Sequence, residues 1–141
     1  ETDPDTGTGK LANCVAVDDF GNIGKPMLVA GQGDGGLAQG LCQAMMEGCS
    51  YDPESGQLLT GSYMDYAMPR AMDVPNFEID NVVTPCSHNP LGVKGCGEAG
   101  AIGSSAAVIN AITDAIGHNK LEMPATPDRV WHAIQLQQAA E

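Results

Sequence analysis

The chain has 141 residues, the length of a single domain, and 43% hydrophobic residues with only 4% aromatics, so its core must be built from Ala, Val, Ile, Leu and Met. Eighteen Asp and Glu stand against six Lys and Arg, a formal net charge of -12, and no basic run can follow a phosphate backbone, which argues against a nucleic-acid partner. The apolar runs fall short of the ~20 residues of a membrane span, the opening ETDPDTGTGK is acidic where a signal segment is basic, and five cysteines without a C-x-x-C pair fit neither a disulfide framework nor a structural zinc site; no membrane contact and a reducing, cytoplasmic location are expected.

Lys10 to Asp18 alternates apolar and polar residues and leads into Asp19-Phe20-Gly21-Asn22, predicting a strand and a tight turn. Ile23 to Ala30 is apolar but contains Pro26, so as a strand it would be short or at an edge. Gly31-Gln32-Gly33-Asp34-Gly35-Gly36 is expected to be a glycine loop feeding a helix whose apolar face holds Leu37, Leu41, Ala44 and Met45. Tyr51 to Gly56 has turn composition, and Gln57 to Tyr66 is expected as an extended arm pairing with what precedes it. Phe77 to Thr84 predicts a strand ending at Pro85, and Cys86 to Gly97 has no period and predicts a loop. Ser104-Ser105 is expected to cap a helix ending at Gly117, and Thr126-Pro127 to start a short terminal helix with Val130, Trp131 and Ile134 inward. No repeat and no linker divides the chain.

Glu98 is the sharpest chemical candidate. In GVKGCGEAGAIG it stands among glycines that let a ligand approach the backbone, and a carboxylate in a dry site can act as a base. The bland alternative is a carboxylate that meets the dipole of the following helix. The Gly31 to Gly36 run can hold a phosphate or a pterin-like heterocycle on free backbone N–H groups, with Gln32 offering donor and acceptor, or can be a plain strand-to-helix turn. Cys96, eight residues after His88, is either a thiolate nucleophile or an inert buried thiol. His118 and His132 have no metal-ligand spacing, and Trp131 is expected as a core anchor.

The run GVKGCGEAGAIGSSAAVINAITDAIG resembles the C-terminal part of the molybdopterin-binding large subunit of the xanthine dehydrogenase, aldehyde oxidase and carbon monoxide dehydrogenase family. The likeness continues through DDFGNIGKPMLV, GQGDGGLAQG, QLLTGSYMDY, MDYAMPRA, TPCSHNPLG and MPATPDRVWHAI, and is strongest to the branch with the carbon monoxide dehydrogenase large chain. It implies an α+β fold, a mixed sheet with two or three packed helices, like the last molybdopterin-binding domain of molybdenum hydroxylases. It implies molybdopterin, the molybdenum cofactor, with Glu98 as the base beside the metal, Gln32 after Gly31 on the pterin, and the backbone of Cys96 and Gly97 close to the metal. No residue here is implied as a metal ligand, and the family's copper loop, iron-sulfur and flavin modules lie outside these residues. The expected role is one part of a hydroxylase active site acting on an aldehyde, a heterocycle or CO. The remainder of a large subunit or a partner chain would complete it, and the isolated chain would lack cofactor. The alternative is a catalytically silent fragment that folds and self-associates as a homo-oligomer.

Overall fold

The computed structural model describes residues 1–139, and along them lie β1 (Cys14–Asp19), α1 (Pro26–Met45), β2 (Phe77–Val82), α2 (Ala99–Ile116) and α3 (Pro127–Gln138). The architecture is α+β. β1 and β2 pair in parallel, from Cys14 opposite Phe77 to Asp19 opposite Val82, as two strands joined through a helical crossover can. Isolated antiparallel bridges, Thr2 with Gly9, Gly21 with Val93 and Tyr51 with Leu58, tie the loops.

Two sequence expectations fail at one place. Ile23 to Ala30 is no strand, and Gly31 to Gly36 is no loop, because α1 starts at Pro26 and runs through both. Proline at the first helical position loses only an N–H that has no partner there, and Lys25 before it is extended, so the helix starts where a strand would have been spoiled. Each glycine costs about 1 kcal/mol in a helix interior relative to Ala. What offsets that cost is the crossing with α2.

A Cβ on Gly36 would lie 2.9 Å from the Cα of Gly100, and one on Gly40 would overlap the Ser104 hydroxyl. A Cβ on Gly100 would sit 2.5 Å from the Gly33 carbonyl and 2.6 Å from the Leu37 nitrogen. The two backbones therefore touch, and the contacts advance together along both helices. Ser104 and Ser105 do not cap α2, which begins five residues earlier at Ala99. Both are small interior residues of the crossing, where Ser105 Oγ donates to the Gly40 carbonyl at 2.7 Å. The predicted stop holds, with Gly117 left-handed at φ 69°.

Leu41, Ala44, Val108, Ile112, Ala125, Val130 and Ile134 form the buried core where the three helices meet. Methionine contributes little to it: Met45 packs at the margin, while Met27, Met64 and Met72 are exposed. α3 starts at Pro127 as predicted, but Trp131 is 37% exposed and meets His132 edge-on, because the helical period that buries Val130 and Ile134 turns its neighbour outward. The arm expected at Gln57 to Tyr66 pairs only at its start. Leu59 N–H still reaches the Ser50 carbonyl at 2.8 Å, and then Ser62 turns the chain by accepting from Tyr66 N–H. By length and composition α2 would qualify as a membrane span, contrary to the sequence expectation. Its apolarity has a use inside the fold, since Gly100, Ser104, Val108 and Ile112 are buried there.

Candidate active-site wall

The segment that carries Cys96, Gly97 and Glu98 is held from the far end of β1. Asp19 Oδ1 accepts from the N–H groups of Gly21 at 2.9 Å and Thr84 at 3.1 Å, and Oδ2 takes the Lys94 ammonium at 2.6 Å. Lys94 N–H donates to the Phe20 carbonyl, Asn22 N–H to the Gly92 carbonyl, and the Asn22 amide to the Leu91 carbonyl. Gly21 and Gly92, both at positive φ, meet so closely that a Cβ on Gly21 would overlap the Gly92 carbonyl oxygen. This clamp was not legible in the sequence: Asp19 and Lys94 are 75 positions apart, and the motif around Asp19 signals only its turn.

The Lys94 ammonium, then the Gly21 and Thr84 amides, hold the Asp19 carboxyl well below the usual carboxylate range. Its folded proton affinity is thus lower than its unfolded one. The stabilisation is complete above the ordinary aspartate value of about 4 and is lost as pH falls from there toward the depressed folded value. The pair is partly exposed, so solvent screens it. Thermal unfolding should show Asp19→Asn melting below the parent at pH 7 and the gap narrowing at pH 3. An equal gap at both values would show that the ionised pair is not what Asp19 supplies.

Beyond Lys94 the chain is open. Gly97 and Glu98 are exposed, Cys96 is half-buried, and a Cβ on Gly95 or Gly97 would meet nothing within 4 Å. Glu98 is the N-cap residue of α2, and its carbonyl accepts from Ala101 and Ile102 N–H at 3.0 Å, but its side chain makes no capping hydrogen bond. Among the described residues, the backbone N–H groups from Gly95 to Gly100 donate to no protein acceptor. An uncapped helix start and a glycine loop therefore present donors around one carboxylate.

Gly31 and Gln32 are exposed on α1, immediately before Gly33, whose carbonyl lies against Gly100. The helix crossing thus brings the Gln32 and Glu98 segments together. The expected cradle of free N–H groups at Gly31 to Gly36 does not exist, because these amides lie inside α1. What remains there is the Gln32 amide and, at Gly31, open space within 4 Å of where a Cβ would stand.

The other candidates separate from this wall. His88 Nδ1 lies 3.9 Å from Cys86 Sγ, so the imidazole's thiol neighbour is Cys86 and not Cys96. His132 Nδ1 is 2.7 Å from the Asp128 carbonyl. Cys42 is buried, and that burial, aided by Glu47 and Asp73, pushes its thiol up to about 11, which leaves it unreactive. Among the described residues no group of three or more His, Cys, Asp or Glu is arranged to hold a metal ion.

A family profile described as a molybdopterin cofactor-binding domain matches residues 1–75, more than half of the chain. The chain belongs to the molybdopterin cofactor-binding domain family. The carbon monoxide dehydrogenase large chain of Hydrogenophaga pseudoflava is 38% identical over 138 residues, 96% of this chain. The nicotine 6-hydroxylase large subunit of Paenarthrobacter nicotinovorans is 44% identical over 139 residues, again 96%. Among solved structures, a Cu,Mo-CO dehydrogenase in its carbon monoxide reduced state superposes with a TM-score of 0.91 at 36% identity, over 97% of this chain and 18% of that one. The chain spans about 17% of the length of the two curated relatives. The family resemblance and the α+β fold expected from the sequence both hold.

Proposed function

We propose that this molybdopterin-binding segment forms one wall of a molybdenum hydroxylase active site, with Glu98 as the base and Gln32 on the pterin. The observation that carries this reading is the state of Glu98. Its carboxylate is exposed, caps nothing, and stands on a segment fixed by the Asp19–Lys94 pair between glycines that face open space. A carboxylate kept only for the helix start would be expected to reach an N–H of the first turn.

The residues present suit the cofactor. Gln32 offers an amide with both donor and acceptor to the mixed edge of a pterin, the unpaired N–H groups of Cys96 and Gly97 are donors for its oxygens, and Gly31, Gly95 and Gly97 leave room for close approach. When bound, the cofactor supplies the two-electron oxidation that hydroxylation of an aldehyde, a heterocycle or CO requires. Glu98 takes up a proton at its carboxylate as the nucleophile attacks, and its backbone stands at the start of α2, four residues after the Lys94 anchor of the clamp. The opposite wall and the exclusion of water come from the rest of a large subunit or from a partner chain, which fits relatives about six times as long. Turnover of Glu98→Gln in a complete, cofactor-loaded subunit tests the assignment.

One half of a pocket holds a cofactor poorly. The isolated 141-residue chain should therefore purify without stoichiometric molybdopterin, as measured by molybdenum analysis and pterin fluorescence after oxidation. Tight retention by the chain alone would mean that the pocket is complete and that no second wall is needed.

A further inference from the structure

One surface feature that the proposed site does not use is a groove of about 410 Å³ between β1 and α2. It touches Leu11 and every residue of β1 from Cys14 to Asp18 and no residue of β2. Side chains of a strand alternate between faces, so contact with all of them is contact with the strand's edge, and this edge is the one turned away from β2. An edge of this kind presents a row of unpaired N–H and C=O groups. Its far wall is the α2 face that carries Ala99, Gly103, Ala107 and Ala111, four residues apart and small enough to let another backbone come near. At the end of the groove Asp18 Oδ2 is buried without any hydrogen-bond partner, an uncompensated cost unless a donor arrives from outside.

The pairing of Glu1 and Thr2 with Lys10 and Gly9 gives a direction for a further strand. Thr2 bridges Gly9, Glu1 and Lys10 exchange both backbone hydrogen bonds (2.9 and 2.8 Å), and the groove opens at Leu11, the next residue. We infer that the groove is the seat of an extended, apolar strand of the larger subunit that continues this ladder antiparallel to β1, lays its side chains on the Ala99–Ala111 face and brings a donor to Asp18. With Glu1 opposite Lys10, a strand of eight residues reaches from Leu11 to Asp18. This rests on the chain being part of a longer subunit and is independent of what Glu98 does.

The test extends the chain before Glu1 by eight residues that alternate Val and Thr, with Lys opposite Asp18, and compares it with an eight-residue Gly-Ser extension. The β1 amides that do not bond to β2 should exchange with solvent ~100-fold more slowly in the strand-extended chain alone. Ala107→Trp, which fills the groove from an exposed position of α2, should abolish that protection while amides of the α1–α2 crossing stay protected. In a complete subunit containing this segment the same β1 amides should be protected without any extension. Equal exchange in the two extended chains, or rapid exchange in the complete subunit, overturns the inference. Protection of the unextended chain that rises with its concentration also overturns it, and assigns the groove to a second copy.

Discussion

Glu98→Gln in a complete, cofactor-loaded subunit is expected to lower turnover by ~10²- to 10⁴-fold, the range that a positioned proton acceptor contributes. The substitution keeps the size and most hydrogen bonds of the side chain and removes only its basicity. The loss should fall on kcat, with KM little changed, because the group acts as charge moves and not as substrate binds. Stability should hardly respond: the Glu98 side chain makes no capping bond, and a carboxylate acting only on the helix dipole contributes at most about 1 kcal/mol. A loaded variant with near-normal turnover would remove Glu98 from the chemistry and leave it a dipole partner.

The second large effect is expected at the helix crossing. Gly100→Ala places a methyl group 2.5 Å from the Gly33 carbonyl oxygen and 2.6 Å from the Leu37 nitrogen, and both are backbone atoms that move only if the helices part. Overpacking of this kind costs on the order of 3 kcal/mol, a large fraction of the roughly 5–15 kcal/mol that holds a domain of this size together. Gly31→Ala is the control on the same pair of helices. Nothing stands within 4 Å of its added methyl, so it should raise stability by about 0.5–1 kcal/mol through the helix propensity of Ala. Chemical denaturation of the two variants decides the matter: if both shift stability alike, the crossing is looser than backbone contact. Opposite signs would sort the glycines of the two helices into those that the crossing requires and those kept for something outside the chain.

The strands at Lys10 to Asp18 and Phe77 to Thr84, the Cys86 to Gly97 loop, the stop at Gly117 and the start at Pro127 were legible because each rests on local chemistry. Alternation, a proline that ends or begins an element, and a glycine at positive φ act within a few residues. The same local rules misread Gly31 to Gly36. Taken alone, a glycine-rich run favours a loop, and only contact with Gly100 and Ser104, more than sixty positions away, makes the helix worth its entropic cost. Ser104 and Ser105 were misplaced for the same reason, since a small hydroxyl serves a helix cap or a tight crossing equally well in sequence.

By itself the sequence determined the α+β class and the family, because these depend on residue types in a fixed order, and it nominated Glu98 and Gln32 for the chemistry through that resemblance. Tertiary structure alone decided that their segments share one helix crossing, that Asp19 and Lys94 hold the loop before Glu98, and that β1 keeps an open edge beside the small face of α2. The physical reason is range: propensity, turn chemistry and capping act between neighbours along the chain, whereas close packing and ion pairing act between neighbours in space, which order along the chain does not specify.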